Sequence, residues 1–157
     1  MEQPVGVRYF PGVQCGAHSL DAPERLLVGS VRRWLKASSD WPIIADQFRL
    51  AFGDNECLYA LSGLKGLLET LATGARRTLY FHQPCCGHVS ADERSLLTLI
   101  AALQHGRHGH AHAVLRWLLP VPHQAEAYKH AFWLACGMAD CGLTLKPPAP
   151  SDVLGTC

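Results

Sequence analysis

Apolar residues recur at helical spacing through most of the chain. Leu27, Val31, Trp34 and Leu35 fall at i, i+4, i+7 and i+8, one face of a helix. Asp21 ahead of them is an N-cap residue type and Pro23 suits a first helical turn. Ser38-Ser39 interrupt this helix. Trp41, Ile44, Ala45, Phe48 and Phe52 make a second stripe, with Asp40 as cap, Pro42 early and Gly53 at the end. Cys57, Ala60, Leu61, Leu64, Leu67, Leu68 and Leu71 then hold one continuous face, in a helix predicted to start at Asp54 or Asn55 and to stop at Gly74. Cys57 lies on that face and reads as a small core hydrophobe. Gly63 and Gly66 each weaken a helix by about 1 kcal/mol relative to alanine; room for a neighbouring helix is the reason to keep them.

The second half repeats the pattern. Ser90 and Glu93 fit the S-x-x-E capping box, followed by Leu96, Leu99, Ile100 and Leu103. Ala111, Val114, Leu115 and Leu118 form a fifth stripe, stopped by Pro120 and Pro122. The last helix, about Gln124 to Cys141, is apolar nearly all round between Ala131 and Ala139, which predicts a central place in the bundle, with Gly142 at C′. Only Arg77–His82 alternates as a strand does. A lone strand cannot satisfy its own backbone, and Val5–Phe10 is a partner within the chain. The expectation is a mainly α fold: a single-domain bundle of about six helices with at most one short β-hairpin or extended segment. Residues 1–21 read as an N-terminal arm, 22–145 as the helical domain and 146–157 as a flexible tail.

Composition narrows the function classes. A hydrophobic fraction of 48% with 17% charged residues describes a globular chain that buries a large core. Net charge is +1 and the longest basic runs are the pairs Arg32-Arg33 and Arg76-Arg77, too little for a nucleic-acid footprint. No signal peptide and no spanning segment is read from the chain, so the expectation is a cytoplasmic protein without membrane or nucleic-acid partners. Seven cysteines form an odd set without framework spacing, which in a reducing compartment points to free, metal-bound or redox-active thiols.

The densest candidate chemistry is His82-Gln83-Pro84-Cys85-Cys86-Gly87-His88, just ahead of a helix start. Thiolate and imidazole suit zinc or iron, and a helix N-terminus lowers the pKa of a nearby thiol. Cys85, Cys86 and His88, with His82 next, are the candidate metal ligands. The spacing matches no standard zinc pattern, and a structural turn or a reactive thiolate stand beside the metal reading. A second cluster, His105, His108, His110 and His112, contains an i, i+4 pair of the kind that clamps a metal, yet a solvated helix start accounts for it as well. It lies roughly 20 Å from the cysteine turn, at the far end of the intervening helix. Cys15 and His18 form an isolated C-x-x-H. His130 borders the core strip of the last helix, where a hydrogen-bonded histidine or a haem ligand would sit. Asp92 and Glu93 are explained by the dipole of the helix they open. No G-x-S-x-G, Walker loop or G-x-G-x-x-G is present, and an enzyme is not expected.

Pro84-Cys85, Ser90-Ala91-Asp92-Glu93 and the run Leu96–Ala102 resemble small, uncharacterised helical proteins of proteobacteria, with the likeness spanning roughly Leu26 to Leu145. The resemblance implies a bacterial cytosolic helical domain and no activity. Two functional readings follow. One is a non-enzymatic metal-binding or metal-responsive protein that uses the Cys-Cys-x-His turn. The other is an interaction module or accessory subunit that docks a partner, or its own copy, through an apolar helical surface.

Overall fold

The computed structural model describes residues 7–9, 20–53, 55, 57–84 and 86–148. Six α-helices and a pair of three-residue strands follow in chain order: β1 (Val7–Tyr9), α1 (Ala22–Lys36), α2 (Trp41–Phe52), α3 (Leu58–Gly74), β2 (Leu79–Phe81), α4 (Ala91–Gln104), α5 (His108–Leu118) and α6 (Val121–Asp140). Helices dominate, as the hydrophobic spacing predicts. β1 and β2 do pair, with Val7 opposite Leu79 and Tyr9 opposite Phe81. The pairing is parallel, so it is a crossover contact between distant segments in place of a hairpin.

Helix boundaries follow local chemistry. The Asp21 carboxylate accepts the Glu24 N–H while the Glu24 side chain reaches back to the Asp21 N–H, a complete capping box at the start of α1. Ser90 and Glu93 make the same reciprocal pair at α4. A 3₁₀ turn at Ser38–Asp40 separates α1 from α2. α3 begins at Leu58, after Cys57, later than the start at Asp54 or Asn55 that the sequence suggests. α6 begins at Val121, so Pro122 lies inside its first turn; a proline that stops one helix also suits the opening of the next. α6 is closed by Gly142 at C′, φ +76°, where the Leu143 and Gly142 N–H groups donate to the Met138 and Ala139 carbonyls in a Schellman arrangement.

Packing reassigns the centre of the bundle. α6 was the expected central helix, but Phe132 and Trp133 on it are partly exposed and only Ala127, Ala131, Leu134, Ala135 and Met138 are buried. α4 takes that place: every residue from Leu96 to Leu103 is buried, because α1, α5, α6 and β2 all pack around it. α6 instead lies antiparallel along α3. A methyl group on Gly63 would stand 2.5 Å from the His130 carbonyl oxygen, and one on Gly137 would stand 2.9 Å from the Ala60 Cβ. The glycines predicted to admit a neighbouring helix admit this one. Beyond α6 the chain stays anchored on the α4–α5 corner: the Gln104 amide bonds the Leu143 carbonyl and the Leu145 N–H, and Arg107 donates to the Pro148 carbonyl.

A carbonyl-lined arginine and the Cys/His loop

The loop between β2 and α4 is built around a buried charge contributed by α1. Arg32 lies on the inner face of α1, between Val28 and Leu35, and is 5% exposed. A guanidinium there is tolerable only if its donors are matched, since an unpaired buried charge is strongly destabilising. Its Nε and Nη2 donate to the two Glu93 carboxylate oxygens at 2.7 and 2.9 Å, a bidentate fork. Its Nη1 donates to the Cys86 carbonyl at 2.6 Å and, at 3.5 Å, to that of Gln83; Nη2 also donates to the His88 carbonyl. Glu93 accepts further from the His82 and Ser90 N–H groups. One carboxylate thus completes the capping box of α4, holds the arginine and fixes both ends of the loop.

Beside it, Asp92 repeats the design nearer the surface. Arg77 donates to both of its oxygens, at 3.1 and 2.6 Å, and the Tyr80 N–H of β2 donates to Oδ2. This hydrogen bonding raises the Arg77 pKa further above its ordinary value. The helix dipole alone, expected to explain Asp92 and Glu93, is therefore not their whole account: both are buried and each binds an arginine. Arg76 serves another end, donating from Nε to the Arg116 and Leu119 carbonyls at the close of α5. Arg32, Arg76 and Arg77 thus each tie distant segments together.

The loop side chains divide accordingly. With the carbonyls of Gln83, Cys86 and His88 turned inward, Gln83, Pro84 and Gly87 face solvent. His82 is buried; Cys86 and His88 are half-buried. The His82 and His88 rings stand 6.5 Å apart, inclined by 59°. His88 Nδ1 is buried and has no hydrogen-bond partner among the described residues. Cys85, one of the four expected ligands, lies outside the described residues, as do Cys15 and His18. Among the described residues no group of three or more His, Cys, Asp or Glu side chains is placed to hold one metal ion.

The histidines of the second cluster and of α6 do not converge on one point; His110 Nε2 is buried without a hydrogen-bond partner among the described residues. His105 Nε2 meets the Leu145 carbonyl at 2.8 Å. His108 Nδ1 meets the Tyr128 hydroxyl at 2.8 Å, while His112 stacks on the same tyrosine at 4.6 Å between ring centres. The i, i+4 spacing of these two histidines thus brackets an aromatic ring of α6. His130 lies flat against Gly66, with Nε2 at 2.9 Å from Glu126 and its ring edge-on to Trp133. The expectation of a hydrogen-bonded histidine beside the core holds for it.

A groove of about 470 Å³ runs between α3 and α6, with Lys65, Glu69 and Thr73 along one wall and His123, Glu126 and His130 along the other. Hydrogen bonding to Lys129, with His130 as a lesser contributor, lowers the Glu126 pKa. Sequence reasoning did not find this groove; the polar stripe Ser62, Lys65, Glu69 and Thr73 beside the glycines was the available signal.

No protein-family model, curated protein or solved structure matches the chain. Among the described residues no helix is long and apolar enough to cross a membrane.

Proposed function

We propose that the chain is a non-enzymatic cytosolic interaction module, docking a protein partner or its own copy through the apolar corner where α2 meets α3. The observation that carries this reading is the exposure of Leu50, Leu58 and Tyr59, at 84%, 64% and 70%. Ile43, two turns before Leu50 on α2, extends the same face. Large apolar side chains exposed to water cost free energy that a partner surface recovers, and exposed apolar surface of this kind marks interaction sites on soluble domains. Backbone contacts from Arg32 and Glu93 order the Cys/His loop without calling on its cysteine or histidine side chains.

Sedimentation of the purified chain across a concentration range, alone and with Leu50→Glu, tests the reading. Self-association or retention of a defined protein partner, lost in the variant, supports it. A strictly monomeric chain whose retained partners are indifferent to Leu50→Glu overturns it.

One observation favours a second reading, a soft metal ion such as zinc or iron on the His82–His88 loop with Cys85 and Cys86. His88 Nδ1 is buried and unpartnered among the described residues, close to the His82 ring. Metal analysis of untagged protein, repeated on Cys85→Ser/Cys86→Ser, decides it. Less than about a tenth of an equivalent of transition metal, with melting unchanged by chelator, removes this reading.

A further inference from the structure

The tightly packed α3–α6 pair ends on two thiols. Along the antiparallel α3–α6 seam, Gly74 faces His123, Gly63 faces His130 and Leu134, and Gly137 faces Ala60. The backbones approach so closely that a methyl on Gly137 would stand 3.4 Å from the Ala60 Cα. One turn further in the same register, the residue at the start of α3 is Cys57 and the residue at the end of α6 is Cys141. Cys57 is 6% exposed and belongs to the core; Cys141 packs on that core from a half-buried position. A disulfide needs Cα atoms roughly 4.4–6.8 Å apart and converging Cβ vectors, the condition that a glycine-lined helix contact favours.

We propose that Cys57 and Cys141 are a dithiol pair that closes under oxidation into a disulfide, locking the N-terminus of α3 to the C-terminus of α6. The oxidant is a small disulfide of the glutathione type. The Cys141 thiolate, the more exposed of the two, attacks one sulfur of the reagent; an S–S bond to Cys141 forms and one thiolate leaves. The Cys57 thiolate then attacks Cys141 Sγ and expels the second small thiolate. The two protein thiols give up two protons and two electrons, and the reagent's disulfide becomes two thiols. Burial, Asp140 and the neighbouring Cys57 push the Cys141 thiol up. A thiol so placed attacks slowly at neutral pH, and the disulfide it forms resists reduction, because nothing stabilises the thiolate that reduction would release.

The test treats the folded full-length chain with oxidised glutathione at mildly alkaline pH and reads intact mass, a non-reducing peptide map and the melting temperature. The expected product has lost two hydrogens, contains a Cys57–Cys141 linked peptide and melts on the order of 5–10 °C higher until reductant is added. Cys57→Ser is expected to stop at a glutathione adduct on Cys141. A wild-type map showing only mixed adducts, or an intramolecular bond that leaves either of these two cysteines out, overturns the proposal without recourse to any variant.

Discussion

The Arg32 guanidinium and the Glu93 carboxylate meet in a bidentate fork at 2.7 and 2.9 Å, with both side chains almost wholly removed from water. Removing one member of a buried pair leaves an uncompensated charge, so Arg32→Ala and Glu93→Ala are each expected to lower unfolding free energy by about 3–5 kcal/mol. The double variant Arg32→Ala/Glu93→Ala should cost less than the sum of the singles, yet remain below wild type, since the Cys86 and His88 carbonyls would still lack their donor. Urea denaturation measures all of these. Additivity within about 0.5 kcal/mol would show the two side chains to be energetically independent.

Asp92 joins β2 to α4 through the Tyr80 N–H as well as through Arg77. Asp92→Ala strands that amide and is expected to destabilise by about 1–3 kcal/mol. Hydrogen exchange at Tyr80 should accelerate more than exchange in α6. Unchanged protection at Tyr80 would refute the linkage.

The α3 glycines differ in what faces them. At Gly63 the obstacle is backbone, the His130 carbonyl and the Leu134 nitrogen; at Gly66 it is the His130 ring. Alanine gains about 1 kcal/mol in helix propensity at either site. Overpacking against a fixed backbone costs about 1–3 kcal/mol, so Gly63→Ala is expected to be the more destabilising change. Gly66→Ala should approach neutrality once the ring swings aside, and His130→Ala in that background should stabilise it further. Thermal melts of the three variants check the order.

Cys136 offers a pH readout. Burial, with Asp140 adding to it, pushes its thiol above the ordinary range. The folded chain therefore holds this proton more tightly than the unfolded chain does. Between the unfolded thiol pKa of about 8.5 and the higher folded value the native state binds more protons, and stability falls as pH rises through that window. Alkylation of Cys136 by iodoacetamide in the native state should lag behind the denatured protein most strongly near pH 8–9. Equal rates in the two states would contradict the shift.

What could be read from the sequence follows physical range. The Ser90–Glu93 capping box, the cap at Asp21 and the glycine after α6 are contacts between residues a few positions apart, and each appears where spacing places it. Five apolar stripes and the last segment, apolar nearly all round, became the six helices of the described residues for the same reason. Arg32 and Glu93 are 61 positions apart; helical spacing places Arg32, unlike the partly exposed Arg33 that pairs with Asp40 at 3.5 Å, beside Val28 and Leu35, but it does not name the distant carboxylate that neutralises it. Only tertiary geometry supplies the partner that lets the inward arginine stay charged. The prominence of His82–His88 was legible, but its inward-turned carbonyls were not, since composition describes side chains and this loop is organised by its backbone. α6 was misplaced because a hydrophobic tally does not separate small residues that let helices touch from large ones left at the surface.

The parallel pairing of β1 with β2 has a consequence for synthesis. Val7–Tyr9 leaves the ribosome long before Leu79–Phe81 exists, so β1 waits with its backbone donors and acceptors unclaimed until three helices have been made behind it. Its docking is a late event that reports completion of α1 through α3. During that delay the segment is an open edge to which another nascent chain can add. Slowing translation of the intervening helices should lengthen that exposure, because the parallel partner cannot be supplied before the crossover through α1–α3 is complete.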